Sequence, residues 1–172
     1  MADRHLCVAI YANHDQADEA FSRLQAEGSN MDLLSFVGRD YWKDMVGCRN
    51  AGERFLYHGH LGPFWERLWS LLRGWGVFWF FENGPVLVAG PLVRTIIATQ
   101  EEGNGNHHSS GFEAALSGIG IPKDSLVEYE KALMSDQILV FIQGTLNEVN
   151  HAQDILDETK AINHTIHHGA VN

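Results

Sequence analysis

Basic residues are scarce in this chain: 12 Lys and Arg stand against 22 Asp and Glu, a formal net charge of −10. Tracking along nucleic acid needs a basic face, so this balance argues against such a partner. Cysteine is scarcer still. Cys7 and Cys48 lie far apart and make no disulfide framework, which fits a reduced, cytoplasmic setting. Long apolar runs are missing too. The greasiest stretch, Leu68 to Ala98, is interrupted by Arg73, Glu82 and Arg94, and a spanning helix needs about 20 predominantly apolar residues. The short apolar stretch near the start is broken at His14-Asp15, which is not the pattern of a secretory signal. Catalytic signatures are also lacking. There is no HExxH or CxxC for a metal and no GxSxG elbow for a nucleophile, and Gly118-x-Gly120 is too short for a dinucleotide loop.

What is present is a chain of 172 residues, 45% apolar and 20% charged, enough for one domain with a real core. Leu6–Ala12 alternates and is rich in strand formers, so it reads as a strand. His14 to Glu27 carries Ala17, Ala20, Phe21 and Leu24 at helical spacing and stops at Gly28; Asp32–Gly38 reads as a second strand. The same order returns near the other end as Ile138–Gly144, a helix from Asn147 to Lys160, and Ile162–His168. An offset of 132 positions superposes Val8 on Val140, Ile10 on Ile142, Ala17 on Val149, Ala20 on Ala152, Leu24 on Leu156 and Leu34 on Ile166. Two such βαβ units most simply build an α+β, ferredoxin-like base: a four-stranded antiparallel sheet with two helices on one face. Residues 1–172 then form a single domain. Residues 1–39 and 136–172 are the two halves of its base, 40–122 are an insertion, and 123–135 are a connecting helix.

The insertion concentrates the aromatic residues. Trp65, Trp69, Leu72, Gly76 and Trp79 fall on one helical stripe, with Glu66, Ser70 and Arg73 opposite. Val77 to Phe81 is apolar all round, Glu82-Asn83-Gly84-Pro85 is a turn, and Pro85 suits the first turn of a following helix through Ala98. The pattern predicts an apolar helical hairpin with more greasy surface than a small sheet-and-helix sandwich covers. Three destinations follow: the subunit's own core, copies of the same hairpin, or a membrane surface. Further on, Gln100 to Gly111 reads as a polar loop. Asp124 suits the N-cap of a helix over Ser125 to Met134.

Motifs spread over most of the chain carry a resemblance. They include Leu34-Ser35-Phe36-Val37-Gly38-Arg39-Asp40-Tyr41, Gly62-Pro63-Phe64-Trp65, and Leu68-Trp69-Ser70-Leu71-Leu72. The stretch Gly84-Pro85-Val86-Leu87-Val88-Ala89-Gly90-Pro91-Leu92-Val93 belongs with them, as do Gly120-Ile121-Pro122-Lys123-Asp124-Ser125 and Tyr129-Glu130-Lys131-Ala132-Leu133. As a set they resemble bacterial general-stress or low-temperature-induced proteins of unassigned biochemical function. The resemblance implies a stress-associated role and supplies no catalytic residues. Similar proteins carry a glycine-rich, nearly uncharged hairpin, from which this chain departs at Glu66, Arg67 and Arg73.

Among ten histidines, His58 and His60 are separated by one residue and, with aromatic residues, are the candidate lining of a metal or small-ligand site. His107-His108 fall in the polar loop; of His164, His167 and His168 near the end, His164 and His168 share a strand face with Ile162 and Ile166 rather than forming a ligand comb. The leading expectation is a non-enzymatic protein without a cofactor. Its partner is itself, through Trp65, Trp69, Leu72, Trp75, Trp79 and Phe80. The alternatives are peripheral membrane attachment through the same hairpin and a His-lined binding module.

Overall fold

Strands β1 (His5–Tyr11) and β5 (Ile138–Gly144) pair antiparallel at the heart of the sheet, with Val8 opposite Phe141 and Ala9 opposite Val140. The computed structural model describes residues 4–39, 62–80, 84–101 and 111–168, and structural statements below refer to these. From β1 the chain enters helix α1 (His14–Ala26), capped by the Asn13 side chain, which accepts from the Gln16 N–H at 3.0 Å. It returns as β2 (Leu34–Arg39), which pairs with β5 rather than with β1. After β5, helix α6 (Leu146–Asp157) leads to β6 (Asn163–His167), which pairs with β1. Each βαβ unit thus holds its own two strands one place apart, with a strand of the other unit between them.

Helix α6 opens with a capping box that the run Thr145-Leu-Asn-Glu148 encodes directly. The Thr145 N–H donates to Glu148 Oε2 at 2.9 Å, and the Glu148 N–H donates to Thr145 Oγ1 at 3.4 Å. The Thr145 N–H bond, together with one donated by the Thr145 hydroxyl to the same Oε2 at 2.9 Å, holds the Glu148 carboxyl below its ordinary value. The predicted inward residues are inward: Ala17, Ala20, Phe21 and Leu24 on α1, and Val149, Ala152 and Leu156 on α6, all buried.

The insertion departs from expectation. Helix α2 (Gly62–Leu71) is present, but the chain then turns at Gly74, whose φ is +87°, into strand β3 (Trp75–Phe80). Strand β4 (Gly84–Ala89) follows, pairing with β3 on one side and β2 on the other. The apolar hairpin is therefore a β-hairpin and not a helical one. Aromatic and branched residues at Trp75, Val77, Phe78 and Phe80 favour strand, and a strand covered on both faces reads as apolar all round just as a buried helix does. Pro85 sits in β4, and the helix placed after it begins later, as α3 (Leu92–Glu101). Gly90 makes that turn at φ +107°; a Cβ there would strike the Leu34 carbonyl and lie 2.7 Å from Ser35 Cα. Helices α4 (Gly111–Gly118) and α5 (Lys123–Met134) complete the set. Pro122, not Asp124, is the N-cap of α5; Asp124 lies in its first turn.

The sheet order is β3-β4-β2-β5-β1-β6. The expectation of a four-stranded sheet under two helices is corrected: six strands and six α-helices are described, and the helices lie on both faces. Leu6, Val8, Ile10, Val37, Val86, Val88, Leu139 and Phe141 pack with α3, α4 and α5, while Cys7, Ala9, Tyr11, Leu34, Phe36, Leu87, Val140 and Ile142 pack with α1, α2 and α6. The aromatic middle of the chain is what makes this arrangement large enough. It adds two strands and three covering helices, and most of its described greasy residues disappear into the two cores. Trp65 is fully buried against the sheet, where Gly38 leaves it room: a Cβ at Gly38 would lie 2.9 Å from the indole.

Two arginines fasten α2 and its turn to the rest. The Arg67 guanidinium lies 4.9 Å from the centre of the Phe21 ring, 3.1 Å from the Asp18 carboxylate and 2.9 Å from Ser22 Oγ. Arg73 pairs with Asp32 at 2.9 Å. Both pairs are partly exposed, so the anchoring comes mainly from the buried Phe64, Trp65, Leu68 and Leu72 beneath them. Truncating Trp65 to alanine is expected to lower stability by about 3–5 kcal/mol; a urea titration followed by circular dichroism measures it.

Candidate functional site

Strand β3 ends the sheet on one side, and no described strand pairs with its outer edge. Which of its backbone groups face outward follows from the register. The Gly90 N–H donates to the Gly74 carbonyl at 2.9 Å, so Gly74 opposite Gly90 is a hydrogen-bonded position. Bonded and non-bonded pairs alternate along an antiparallel ladder. Gly76 opposite Val88, Phe78 opposite Val86 and Phe80 opposite Gly84 are then bonded to β4, while Trp75, Val77 and Trp79 are not. The last of these faces Pro85, which has no N–H to give. The N–H and C=O groups of Trp75, Val77 and Trp79 accordingly point away from the sheet.

The strand is apolar toward both cores. Phe78 and Phe80 stack with ring centres 6.3 Å apart on the α4 side, where Phe80 meets Phe112 at 6.0 Å. On the α2 side Val77 packs against the other core, and Trp75 meets Trp69 at 5.6 Å, which in turn meets Trp65 at 6.1 Å. The aromatic row thus runs from a fully buried indole to one that is 51% exposed, with Leu71 beside it 45% exposed. Natural sheets blunt their edges with charge, proline, bulges or short strands. No charged residue or proline lies within β3. The opposite edge, β6, is blunted: it has five residues, Asn163 is tied to Glu128 at 2.6 Å, and His164 to Asp157 at 2.8 Å.

The expected anchor residues divide accordingly. Trp65, Leu72 and Phe80 are buried inside their own subunit, because β3 and α2 belong to its sheet and helical layer. Trp69 is half-buried and Trp75 exposed, and Trp79 contributes an outward backbone. His58 and His60, the candidate ligand pair, lie outside the described residues, as do Cys48 and His107-His108. Among the described residues no group of three His, Cys, Asp or Glu side chains converges as a metal site, and no helix is long and apolar enough to cross a membrane. That β3 is a strand ending the described sheet escaped the sequence reading. Its signal was Gly74 and the turn residues Glu82-Asn83-Gly84-Pro85 bracketing a run of aromatic and branched residues, which marks a strand more than a helix.

Two other polar features lie within the fold. On the α5 side, Tyr129 Oη and His167 Nε2 share a buried hydrogen bond of 2.7 Å. Burial pushes the Tyr129 phenol well above its ordinary value and draws the His167 imidazole below its own, against an opposing pull from Glu128. On the other face burial pushes the Cys7 thiol up to about 12, leaving it inert as a nucleophile. A cavity lined by Leu6, Ser35, Leu92, Phe141 and Gln143 has a volume of about 10 Å³, room for one water and no substrate.

Against known proteins, the chain matches no family model, no curated protein and no solved structure.

The His167 shift has a consequence for stability. A histidine neutral in the folded protein and ordinary when unfolded stabilises the fold above its unfolded pKa of about 6.5, and that contribution is lost as pH falls through the lower folded value. Thermal melts are expected to show a lower midpoint at pH 5.5 than at pH 7.5. His167→Gln removes part of that pH slope; an unchanged slope in the variant counts against His167 as its source.

Proposed function

We propose that this is a non-enzymatic, stress-associated protein that works by self-association through the aromatic end of its sheet. One observation carries the reading: an uncharged aromatic strand ends the sheet with outward backbone groups, and Trp75 and Leu71 stand exposed beside it. Large exposed aromatic side chains anchor interfaces. The stress setting rests on the resemblance of the motifs to general-stress and low-temperature-induced proteins. The site is narrower than the row of six side chains suggests, with Trp69 and Trp75 supplying the surface and Trp65, Leu72 and Phe80 the support beneath it.

Charge shapes how the association behaves. Each copy carries a formal −10, so copies repel one another at a distance, and salt screens that repulsion over a Debye length of about 8 Å at physiological strength. Association driven by apolar surface and backbone pairing is therefore expected to strengthen from 50 to 500 mM NaCl.

Light scattering coupled to size exclusion tests the reading. The natural chain is expected to run as an oligomer at micromolar concentration, and Trp75→Glu to run with lower mass at an unchanged circular dichroism spectrum. A monomeric natural chain overturns the proposal, and flotation with liposomes by that monomer assigns the same surface to lipid instead.

A further inference from the structure

At the end of the sheet away from β3, strand β6 is held by mostly polar ties. Its ladder to β1 runs from Leu6 opposite His167 to Ile10 opposite Asn163. Of its five residues only His167 is buried, and one apolar side chain, Ile166, packs against the α6-side core. The Ile162 N–H donates to the Ile10 carbonyl at 2.8 Å and the Asn163 side chain to Glu128 at 2.6 Å. His164 meets Asp157 at 2.8 Å, and His167 shares its 2.7 Å bond with Tyr129. We infer that the C-terminal end of β6 is an acid-opened latch: proton uptake by His167 frees this end of the strand from β1 and α5, while its other end and the rest of the sheet stay in place.

Packing makes His167 the fastener. Its ring stands edge-on to Tyr129 with centres 6.0 Å apart, and Tyr129 packs in turn against Phe141 at 6.3 Å. His167 is 8% exposed. A proton here puts a cation against an apolar layer with a phenol oxygen for its partner, whereas in the opened strand water takes up that charge. Closure thus favours the neutral ring and opening favours the charged one.

The charged and titratable described residues around this end have definite signs. Burial is the largest influence on His167 and favours its neutral form. Glu128, beside Tyr129 on α5, pulls toward the proton and opposes opening; His168, next along the chain, pushes the proton off. The His168 ring meets that of His5 on β1 at 5.4 Å, so protons on these two add like charge at the same end. Tyr129 and Cys7 are raised by burial and stay uncharged through neutral and mildly acid pH. The other end of β6 responds in the opposite sense. A proton on His164 strengthens its contact with the Asp157 carboxylate, and the Asn163–Glu128 tie contains no histidine. β1 itself is held by seven rungs to β5, so loss of the β6 end leaves it paired.

Linkage gives the size of the effect. A closed imidazole that stays neutral and an open one that titrates at about 6.5 make closure most favourable above that pH, and from pH 7.5 to 5.5 the opening constant rises about tenfold. Amide hydrogen exchange read by NMR and corrected for intrinsic rates tests this on the natural chain. The amides of Thr165, Ile166 and His167 are expected to be less protected than those of β5, and to lose protection about tenfold between the two pH values. Their exchange is expected to be insensitive to low urea, the mark of an opening that exposes little surface. His167→Gln keeps a side-chain acceptor for the Tyr129 hydroxyl and has no proton to gain, so most of the pH-dependent loss is expected to vanish. Tyr129→Phe removes the bond but leaves the histidine, and is expected to raise opening at pH 7.5 while keeping the pH dependence. If the β6 amides are as protected as those of β5 and follow urea as they do, this end opens only by global unfolding and the latch is overturned. A pH-dependent loss that is absent from the natural chain, or that persists in His167→Gln, overturns it equally.

Discussion

Two-sided burial of the sheet is the constraint on which the rest of this structure depends. β2 and β5 lie at its centre with β1 beside them, and nearly every one of their side chains is buried, alternately against α3–α5 and against α1, α2 and α6. A sheet with one wet face needs half its residues apolar; a sheet with two dry faces needs almost all of them. That demand explains why strands such as Leu6–Ile10 and Leu139–Ile142 contain no charge. It also means that the edges carry the apolar character of both faces outward until something stops it. β6 stops it on one side with polar residues. On the other side β3 does not.

The interlocking of the two βαβ units adds a second consequence. β5 lies between β1 and β2, and β1 lies between β5 and β6, so neither unit has a sheet of its own to close. The pairing of residues near 8 with residues near 141 must form before either half gains a covered face, which places long-range contacts at the centre of stability. The ion pairs along the surface, such as Arg23 with Glu158 at 2.9 Å, join α1 to α6 over this centre and contribute little by comparison.

Function, on the reading advanced above, is a by-product of the same demand. Trp65, Trp69 and Trp75 form one aromatic row that begins inside the α2 core and ends at the exposed edge. The buried end holds α2 on the sheet, and the exposed end presents a surface whose position is set by that packing. Rigid placement of this kind lowers the ordering cost of association. The buried Tyr129–His167 bond stands apart, between α5 and the end of β6, where it ties the blunted edge to the helical layer.

Much of this was legible in the residues. The periodicity of Ala17, Ala20, Phe21 and Leu24, the matching helix at Val149, Ala152 and Leu156, and the strands around them depend on local spacing, and local spacing is what a sequence displays. The run Thr145-Leu-Asn-Glu148 was equally open to reading as a cap. The segment from Trp75 to Phe81 was not, because an uninterrupted apolar run looks the same whether a helix or a two-sided strand buries it. Its hidden side was the far face of the sheet, which exists only once α3, α4 and α5 cover it. The sequence alone therefore determined the amphipathic helices and strands of the two βαβ units and which side of each helix is greasy. Tertiary structure alone decided that β3 and β4 widen the sheet, and that Trp65, Leu72 and Phe80 turn inward while Trp75 stays out. Those outcomes depend on which residues meet across the fold, and contacts between distant parts of a chain leave no period in its order of letters.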